Sequence, residues 1–450
     1  MTDGRERDTL MGTEEALSMV LAAVPGPTEP EWVNLADALG RVTAGDVTSA
    51  IDLPPWDNSA MDGYAVRHAD VAAATDLLPV RLAVIGDVAA GASPQVVLRH
   101  GTAIRIATGA RIPGGADSVV PVELTSPADT DGTPAGPRGR DAAGPLPAAI
   151  LVHQAVPARG SIRERASDLR AGANVLSAGS VIGPPQVAIV AGAGHAGLSV
   201  HRRPIVGILA TGDELRAPGT DLGASGIPDA NGPALRACVE DAGGIARSLG
   251  IASDRLDDVR VRLAAGLAER PDAIIVSGGV SVGPYDHVRS AFAELGDIAL
   301  WRVAVQPGKP FAFGTAPRPG GGTPILLFGL PGNPVSTFVT FELFVRPALR
   351  RLGGRRAVGR RVDRAVLMDS TPKSAGRRAF IRVRAERDAH DTPVRDAQGR
   401  VVVRLAGGVG GQGSHVLSAL AEADALAIIP EESARHSAGD AVDLWWLDGS

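Results

Sequence analysis

The spacing of apolar and polar positions changes along the chain and predicts several kinds of region. Residues 13–24 repeat apolar positions at helical spacing, whereas residues 80–124 alternate in short runs between turn residues, which is typical of a small β unit. Between residues 204 and 352, predicted strands alternate with predicted helices, as in βαβ units around a mainly parallel sheet. Residues 362–450 return to short alternating strands. We therefore expect a multidomain chain that combines an α/β domain with β domains.

The strongest local pattern covers residues 273–286. Four apolar residues run into a loop of serine, glycine and proline that ends at Asp286, and a helical pattern follows over 287–295. This predicts a strand buried on both faces, whose loop would lie at the carboxyl edge of the sheet, where α/β folds bind ligands. Gly278 and Gly279 would let backbone N–H groups approach an anion. Asp286 is either a metal ligand or a helix cap, and a capped loop without a ligand is the plain alternative.

This loop is one of four similar loops that adjoin predicted strands. These are residues 211–214 (TGDE), 277–281 (SGGVS), 307–310 (PGKP) and 331–334 (PGNP). Their hydroxyl and N–H groups, with Lys309, suit phosphate, and carboxylates suit Mg²⁺, which binds through one or two acids plus substrate oxygens. The carboxylates are Asp213, Glu214, Asp254 and Asp286. The residues alone therefore indicate a phosphate- and metal-dependent transferase and identify no substrate.

Composition narrows the function classes. The chain has 450 residues, 21% of them charged, and a net charge of −5, so nothing in it indicates nucleic-acid or membrane-surface binding. We expect a cytoplasmic protein, because no apolar run is long enough to cross a bilayer, the N-terminus is not signal-like and Cys238 is the single cysteine. The sequence holds no Walker motif, no Gly-x-Gly-x-x-Gly after a predicted strand and no nucleophile elbow, which disfavours ordinary NTPase, NAD and hydrolase chemistry.

Six segments resemble, in family order, MoeA, the molybdopterin molybdenumtransferase family related to the E domain of gephyrin. By its turn chemistry alone, the first of them would indicate only a well-made turn. Together they span nearly the whole chain, so the resemblance is specific. The segments are DNSAMDGY (57–64), TGA (108–110), TGDE (211–214), SGGVS (277–281), PGKPFAFG (307–314) and LPGNP (330–334).

The resemblance implies four domains. Domain I, helical and extended, would combine residues 1–47 and 154–185 and carry dimer contacts, and domain II, residues 48–153, would be an inserted β domain. Domain III, residues 186–353, would be a MogA-like α/β domain with the active site, and domain IV, residues 354–450, a C-terminal β barrel. The active cleft of a homodimer would lie between domain III of one subunit and domain II of the other.

The implied reaction belongs to molybdenum cofactor biosynthesis. It consumes adenylylated molybdopterin and molybdate with Mg²⁺, releases AMP and leaves molybdenum on the dithiolene of the pterin. A molybdopterin adenylyltransferase and molybdoenzyme apoproteins are the implied protein partners. Two alternatives are held beside it. The α/β domain also resembles MogA, the adenylyltransferase of the preceding step, and a pterin-binding or scaffold role would resemble the anchoring role of gephyrin's E domain.

The resemblance also assigns roles to single residues. Asp62 and Thr108 would reach the cleft from the partner subunit. The expected catalytic residues are Asp62, Thr108, Glu214, Asp254, Asp286 and Lys309, of which Glu214, Asp254 and Asp286 would hold Mg²⁺. The expected substrate-binding residues are Thr211, Gly212, Asp213, Ser277, Gly278, Gly279, Ser281, Pro307, Gly308, Pro331, Gly332, Asn333, Pro334, Arg163 and Ser414.

Three departures from the family pattern qualify these roles. Gln306 stands where many members place a basic residue, so one anion contact is weaker or comes from an arginine. Ala166 replaces a glycine near Arg163, which weakens the role of that arginine. Residues 125–149 are longer than the usual connector, nearly lack large apolar residues and are expected to form a surface loop without a function.

Overall fold

The computed structural model describes residues 10–139, 144–280 and 287–447. Ser281 and Asp286, two of the expected site residues, lie outside this range. None of the described helices is long and apolar enough to cross a membrane.

Two separated segments build the first unit by pairing with each other. Short antiparallel ribbons join strand residues 30–34 to 197–201, 47–48 to 174–176 and 58–59 to 162–163. The elements up to residue 201 are α1 (Thr13–Ala23), β1 (Pro30–Asn34), β2 (Val47–Thr48), β3 (Asn58–Ser59), β4 (Gly63–Val66), α2 (His68–Val71), β5 (Val80–Val88), β6 (Thr102–Ile106), β7 (Ser118–Pro121), β8 (Thr125–Ala128), β9 (Ala149–Val152), β10 (Ile162–Arg163), β11 (Asn174–Leu176), α3 (Pro184–Gly192) and β12 (Gly197–His201), with 3₁₀ turns at Leu35–Asp37 and Val122–Leu124.

The inserted unit is a mixed six-stranded sheet in the order β7-β4-β6-β5-β9-β8. This confirms the predicted β domain between the two parts of the first unit. The expectation of a plain loop over 125–149 is wrong at both ends, because residues 125–128 form β8 and residue 149 begins β9, with which β8 pairs antiparallel. Residues 140–143 lie outside the described range.

The α/β domain holds a six-stranded sheet in the order β16-β13-β17-β21-β20-β18. The first four strands are mutually parallel, whereas β20 is antiparallel to both its neighbours, so the sheet is mixed and mainly parallel as predicted. Its elements are β13 (Ile205–Thr211), β14 (Leu215–Arg216), β15 (Ile227–Pro228), α4 (Asn231–Asp241), β16 (Ile245–Ala252), α5 (Leu256–Ala268), β17 (Ala273–Ser277), α6 (His287–Leu295), β18 (Asp297–Arg302), β19 (Val305–Gln306), β20 (Pro310–Ala316), β21 (Ile325–Leu330), α7 (Pro334–Thr340), a π-helical turn (Phe341–Val345) and α8 (Arg346–Leu352).

Both faces of this sheet are covered by helices. Along β17, Ile275 joins one core with α4, α7 and α8, and Ile274 joins the other with α5 and α6. Every residue of β17 is buried, which confirms the predicted strand with two buried faces. Such burial leaves the strand ends as the accessible part of the sheet.

The C-terminal domain is a closed barrel, as predicted. Its strands pair in the ring β24–β25–β22–β28–β26 and back to β24, so no strand of the ring keeps a free edge. β19 adds to this barrel by pairing in parallel with β24. The elements are β22 (Val362–Leu367), β23 (Thr371–Pro372), β24 (Arg378–Ala385), β25 (Val401–Leu405), a 3₁₀ turn (Val409–Gln412), α9 (Leu417–Ala421), β26 (Ala425–Ile429), β27 (Arg435–His436) and β28 (Ala441–Trp446).

The domain limits themselves stay predictions, and two observations bear on them. β12 pairs with β1 rather than with the α/β sheet, and Ala16 and Val20 of α1 pack in the core of the α/β domain. We therefore propose that the second part of domain I extends to His201 and that α1 anchors the first part to domain III.

Candidate active site at the carboxyl edge of the sheet

The loops selected from the sequence leave one edge of the α/β sheet. In the parallel registers, Thr211 lies beside Ala252, and Ser277 lies beside Leu330. β20 runs in the opposite direction, so the loop that precedes Pro310 begins at the same edge. The ends of five strands therefore bring their loops together, which is where α/β folds place ligands.

Two acidic loops are fastened to each other at this edge. The backbone N–H of Asp213 donates to the carboxylate of Asp254 at 3.3 Å, and the N–H of Asp254 donates to the carboxylate of Asp213 at 3.0 Å. Glu214 follows with an exposed side chain. Carboxylate oxygens thus lie at the edge in a fixed arrangement, and they are the donors that Mg²⁺ prefers.

Glycines in these loops are required by contacts within the protein. A Cβ on Gly278, whose φ is +96°, would lie 2.7 Å from both the carbonyl oxygen and the Oγ1 of Thr211. A Cβ on Gly212 would lie 2.7 Å from the carboxylate of Glu214. A side chain at Gly278 would push its loop away from Thr211, so this glycine sets the spacing of the two loops. A side chain at Gly212 would displace only the exposed side chain of Glu214 in its own loop.

Asn231, the first residue of α4, joins two of the loops. Its Nδ2 donates to the Ser277 hydroxyl at 2.8 Å and to the Gly332 carbonyl at 2.7 Å. Asn231 is not among the site residues expected from the sequence. Its side chain does not cap the helix, because the Asp229 carboxylate receives the Gly232 N–H at 2.9 Å instead.

The loop at residues 331–334 is held by α7 and by the C-terminal domain. The Thr337 hydroxyl donates to the Pro331 carbonyl at 2.5 Å, and the N–H of Val335 donates to the Ser414 carbonyl at 3.0 Å. Pro334 occupies the first helical position, where the missing N–H and the fixed φ of proline suit a helix. Asn333 occupies the N-cap position, but its side chain makes no capping hydrogen bond.

A basic wall, formed by Lys309, Arg302 and Arg377, lies beside this edge. Burial and then these two arginines lower the pKa of Lys309 below its ordinary value. Arg377 also lines a cavity of about 330 Å³ between the α/β domain and the barrel, together with Pro307, Arg382 and Ser414. Closely spaced cations of this kind favour an anion between them.

Gln306 lines the same cavity but is engaged with the barrel. Its Oε1 accepts the backbone N–H of Ser374 at 2.9 Å. Arg377 and Arg382 line the same cavity, so positive charge is present beside Gln306. The sequence had left the weaker contact and the arginine contact open, and it did not identify Arg377 or Arg382.

Comparison with known proteins decides the family. Residues 11–194 match the MoeA N-terminal region (domain I and II), residues 207–351 match a probable molybdopterin binding domain, and residues 364–447 match the MoeA C-terminal region (domain IV). The chain is 37% identical over 434 residues to molybdopterin molybdenumtransferase 2 of Mycobacterium tuberculosis (strain ATCC 25618 / H37Rv), covering 95% of this chain and 98% of the relative. The chain belongs to the MoeA family of molybdopterin molybdenumtransferases.

Other MoeA relatives agree along the whole length. The molybdopterin molybdenumtransferase of Bacillus subtilis (strain 168) is 32% identical over 417 residues, covering 92% of this chain and 89% of the relative. The crystal structure of the molybdopterin biosynthesis MoeA protein from Pyrococcus horikoshii OT3 superposes with a TM-score of 0.76 at 27% identity and covers 97% of this chain and 100% of that chain. This chain is accordingly a transferase of molybdenum cofactor biosynthesis with the MoeA multidomain fold.

The MoeA resemblance assigned roles to three residues that the structure places away from this edge. The Asp62 carboxylate accepts the N–H of Thr108 at 2.7 Å, within the inserted β domain. Arg163 lies exposed on β10. Within the described parts of the chain, no hydrogen bond or ion pair connects these three residues to the strand-end loops. Ala166, the departure from the family's glycine, adopts a φ of +59°, the left-handed region that favours glycine.

The expected metal ligands are only partly visible. Glu214 and Asp254 lie at the sheet edge, whereas Asp286 is outside the described range. Within residues 10–139, 144–280 and 287–447, no group of three acidic, histidine or cysteine side chains is arranged to hold a metal ion. Two carboxylates suffice for Mg²⁺ when substrate phosphates complete its coordination, so the donors present fit such an ion.

Proposed function

We propose that this chain transfers molybdenum from molybdate to the dithiolene of adenylylated molybdopterin and releases AMP in a Mg²⁺-dependent step. The observation that supports this most directly is the convergence of acidic loops, N–H-rich loops and a basic wall on one sheet edge. A phosphoanhydride needs cations and N–H donors, and molybdate is a second anion that must lie close to it. The chain would act in the cytoplasm. Its protein partners would be a molybdopterin adenylyltransferase and molybdoenzyme apoproteins.

The residues divide these tasks according to charge. Glu214 and Asp254 would hold Mg²⁺, which would neutralise charge on the phosphoanhydride as AMP leaves. Backbone N–H groups of the loop beyond Gly278 would bind phosphate or pterin oxygens. The N–H of Gly278 and the buried hydroxyl of Thr211 instead donate to the carbonyls of Leu330 and Ser277 and hold this loop in place. Lys309, beside the cavity of Pro307 and Ser414, would bind the oxyanion, and its cationic neighbours would favour a dianion over a neutral ligand.

A homodimer completes the proposed site. Asp62 and Thr108 are hydrogen-bonded to each other on the inserted domain and have no described contact with the strand-end loops of their own subunit. We propose that this pair closes the cleft of the second subunit. The domain arrangement that the MoeA resemblance implies supports this placement.

The decisive assay is AMP release from adenylylated molybdopterin with Mg²⁺, with and without molybdate. Molybdate-dependent AMP release, with a product that activates a molybdoenzyme apoprotein, is the expected result. Conversion of ATP and free molybdopterin to the adenylylated form would instead support an adenylyltransferase. Binding without turnover would support a pterin-binding role.

Mixing two inactive variants tests the shared cleft. Asp62→Ala and Glu214→Ala should each abolish molybdenum insertion while the chain stays folded. When the two variants are unfolded, mixed and refolded together, or co-expressed, each heterodimer should regain one intact cleft and therefore measurable AMP release. If the mixture stays as inactive as its components although heterodimers are present, Asp62 and Glu214 act within one subunit or not at all.

A further inference from the structure

A second cavity, of about 590 Å³, lies at the opposite edge of the α/β sheet. It is lined by Pro204, which precedes β13, and by Gly243, which follows α4. Residues 40–42 contribute from the first unit, and Arg350 and Arg355 contribute from α8 and the connector to the barrel. The cavity is thus separate from the carboxyl edge and lies where domain I meets the α/β domain.

Two of the three carboxylates that line this cavity are already engaged. Asp241 pairs with Arg346 and Arg360, and Glu240 pairs with Arg236 at 3.1 Å. Asp37, the remaining acidic residue of the lining, is exposed and forms no ion pair with a described residue. Asp37 is therefore the one carboxylate of the lining that no described cation already neutralises.

Three of the arginines that line the cavity are also engaged in contacts within the protein. Arg41 pairs with Glu31, and Arg202 pairs with Glu29 and Asp272. Arg203 donates to two backbone carbonyls, those of residues 243 and 244. These three guanidinium groups are accounted for by contacts within the protein.

Arg350 and Arg355 are the exception. Arg350 is 4% exposed, its Nε has no hydrogen-bond partner, and its Nη1 donates to the Gly359 carbonyl at 3.0 Å. Arg355 is half-buried, and its guanidinium makes one long contact of 3.4 Å to the Gly40 carbonyl. Neither arginine has a carboxylate within 4.0 Å among the described residues, so both keep donors that a buried guanidinium normally fills.

The pKa values of both guanidinium groups agree with this geometry. Burial, followed by the charges of Arg346, Arg355 and Arg360, lowers the pKa of Arg350 to about 10. Burial and the charge of Arg346 also lower the pKa of Arg355. The charge of Asp241 acts in the opposite direction and offsets these effects only in part, so a bound anion would stabilise both charged guanidinium groups.

We propose that this cavity binds a phosphate-bearing small molecule, with Arg350 and Arg355 as its anion contacts. The planar guanidinium fork matches phosphate oxygens in a bidentate geometry. The volume lies within the range of about 300–1,000 Å³ that small-molecule sites occupy, so it admits a phosphate ester as well as the free ion. The proposal does not depend on the reaction proposed for the other edge.

Isothermal titration of the full chain with inorganic phosphate and with ribose 5-phosphate tests it, using sodium chloride at matched ionic strength as the reference. Wild-type protein should bind phosphate at a saturable site, and tighter binding of ribose 5-phosphate would identify an ester as the preferred form. Arg355→Gln should weaken this binding at least about tenfold. Arg356→Gln is the matched control, because Arg356 belongs to the same connector, is exposed and donates to the Ala178 carbonyl instead.

Lys309→Gln separates the two edges of the sheet. The phosphate binding that Arg355→Gln weakens should persist in this variant, whatever binding Lys309 itself contributes at the carboxyl edge. If Lys309→Gln instead removes all saturable phosphate binding, the anion lies at the carboxyl edge and the proposal is overturned. Unchanged affinity in Arg355→Gln, or an equal heat with sodium chloride, would overturn it as well. Should Arg355→Gln fail to fold, Arg355→Lys provides the test, since an ammonium group keeps the charge but loses the bidentate geometry and should still weaken binding.

Discussion

Asn231 provides the sharpest test of the candidate site, because one side chain fastens two of its loops. Replacing it with alanine removes the hydrogen bonds to the Ser277 hydroxyl, at 2.8 Å, and to the Gly332 carbonyl, at 2.7 Å. Each bond contributes about 0.5–1.5 kcal/mol net. Since Asn231 is only partly buried, we expect a combined loss of about 1–2 kcal/mol.

If this loss falls on the transition state, kcat/KM for AMP release should decrease about 5- to 30-fold. Asn231→Asp should be at least as damaging as Asn231→Ala. A carboxylate still accepts a bond from Ser277, but it cannot donate to Gly332, and two oxygen atoms would then face each other. The decrease should appear in kcat rather than in KM, because the two loops must be correctly positioned in the transition state and not only when the substrate first binds.

The assay is steady-state AMP release, with Asn174→Ala as the matched control. Asn174 donates to the hydroxyl of Ser177 at 3.2 Å, far from the sheet edge, so its loss should leave the reaction unchanged. A double-mutant cycle of Asn231→Ala with Ser277→Ala should show a combined effect smaller than the sum, because the two share one bond. Wild-type kinetics in Asn231→Ala would refute the reasoning.

Three further outcomes are expected. Because the pKa of Lys309 is lowered, AMP release should fall with rising pH before the ordinary lysine value of 10.5, and Lys309→Arg, whose guanidinium stays charged, should remove that decline from the pH–rate profile. Gly278→Ala should lower the free energy of unfolding by about 2 kcal/mol or more, seen as a lower urea midpoint, through its positive φ and the clash with Thr211. Burial lowers the pKa of His436, so the unfolded chain binds its proton more readily, and stability should decrease as pH falls below 6.5; melting curves of His436→Gln should show a weaker dependence.

The sequence patterns located the elements and the edge of the sheet well. The apolar run at 273–277 is a strand with two buried faces, and the loops after it and its neighbours converge because parallel strands share their carboxyl ends. These features depend on local spacing, which a single sequence records. The barrel strands were also visible as alternation, whereas their closure into a ring came from the family resemblance.

Features that depend on distant contacts were not visible. Asn231 looks like a helix start, and its two partners lie 46 and 101 residues further along the chain. Arg377 belongs to the barrel, far in sequence from Lys309, so no spacing rule connects them. Residues 125–128 contain proline and serine, and they form β8 only because β9 provides a partner. In each instance tertiary pairing, rather than local preference, decides the outcome.

The pairing of β1 with β12 sets an order for events during synthesis. Roughly 160 residues separate the two strands, and a ribosome adds about 5–20 residues per second. β1 therefore waits on the order of 10–30 s for its partner to be made. The strands of the inserted sheet, β4 to β9, all emerge within this interval, so the inserted domain can finish folding while the unit that surrounds it is still half made.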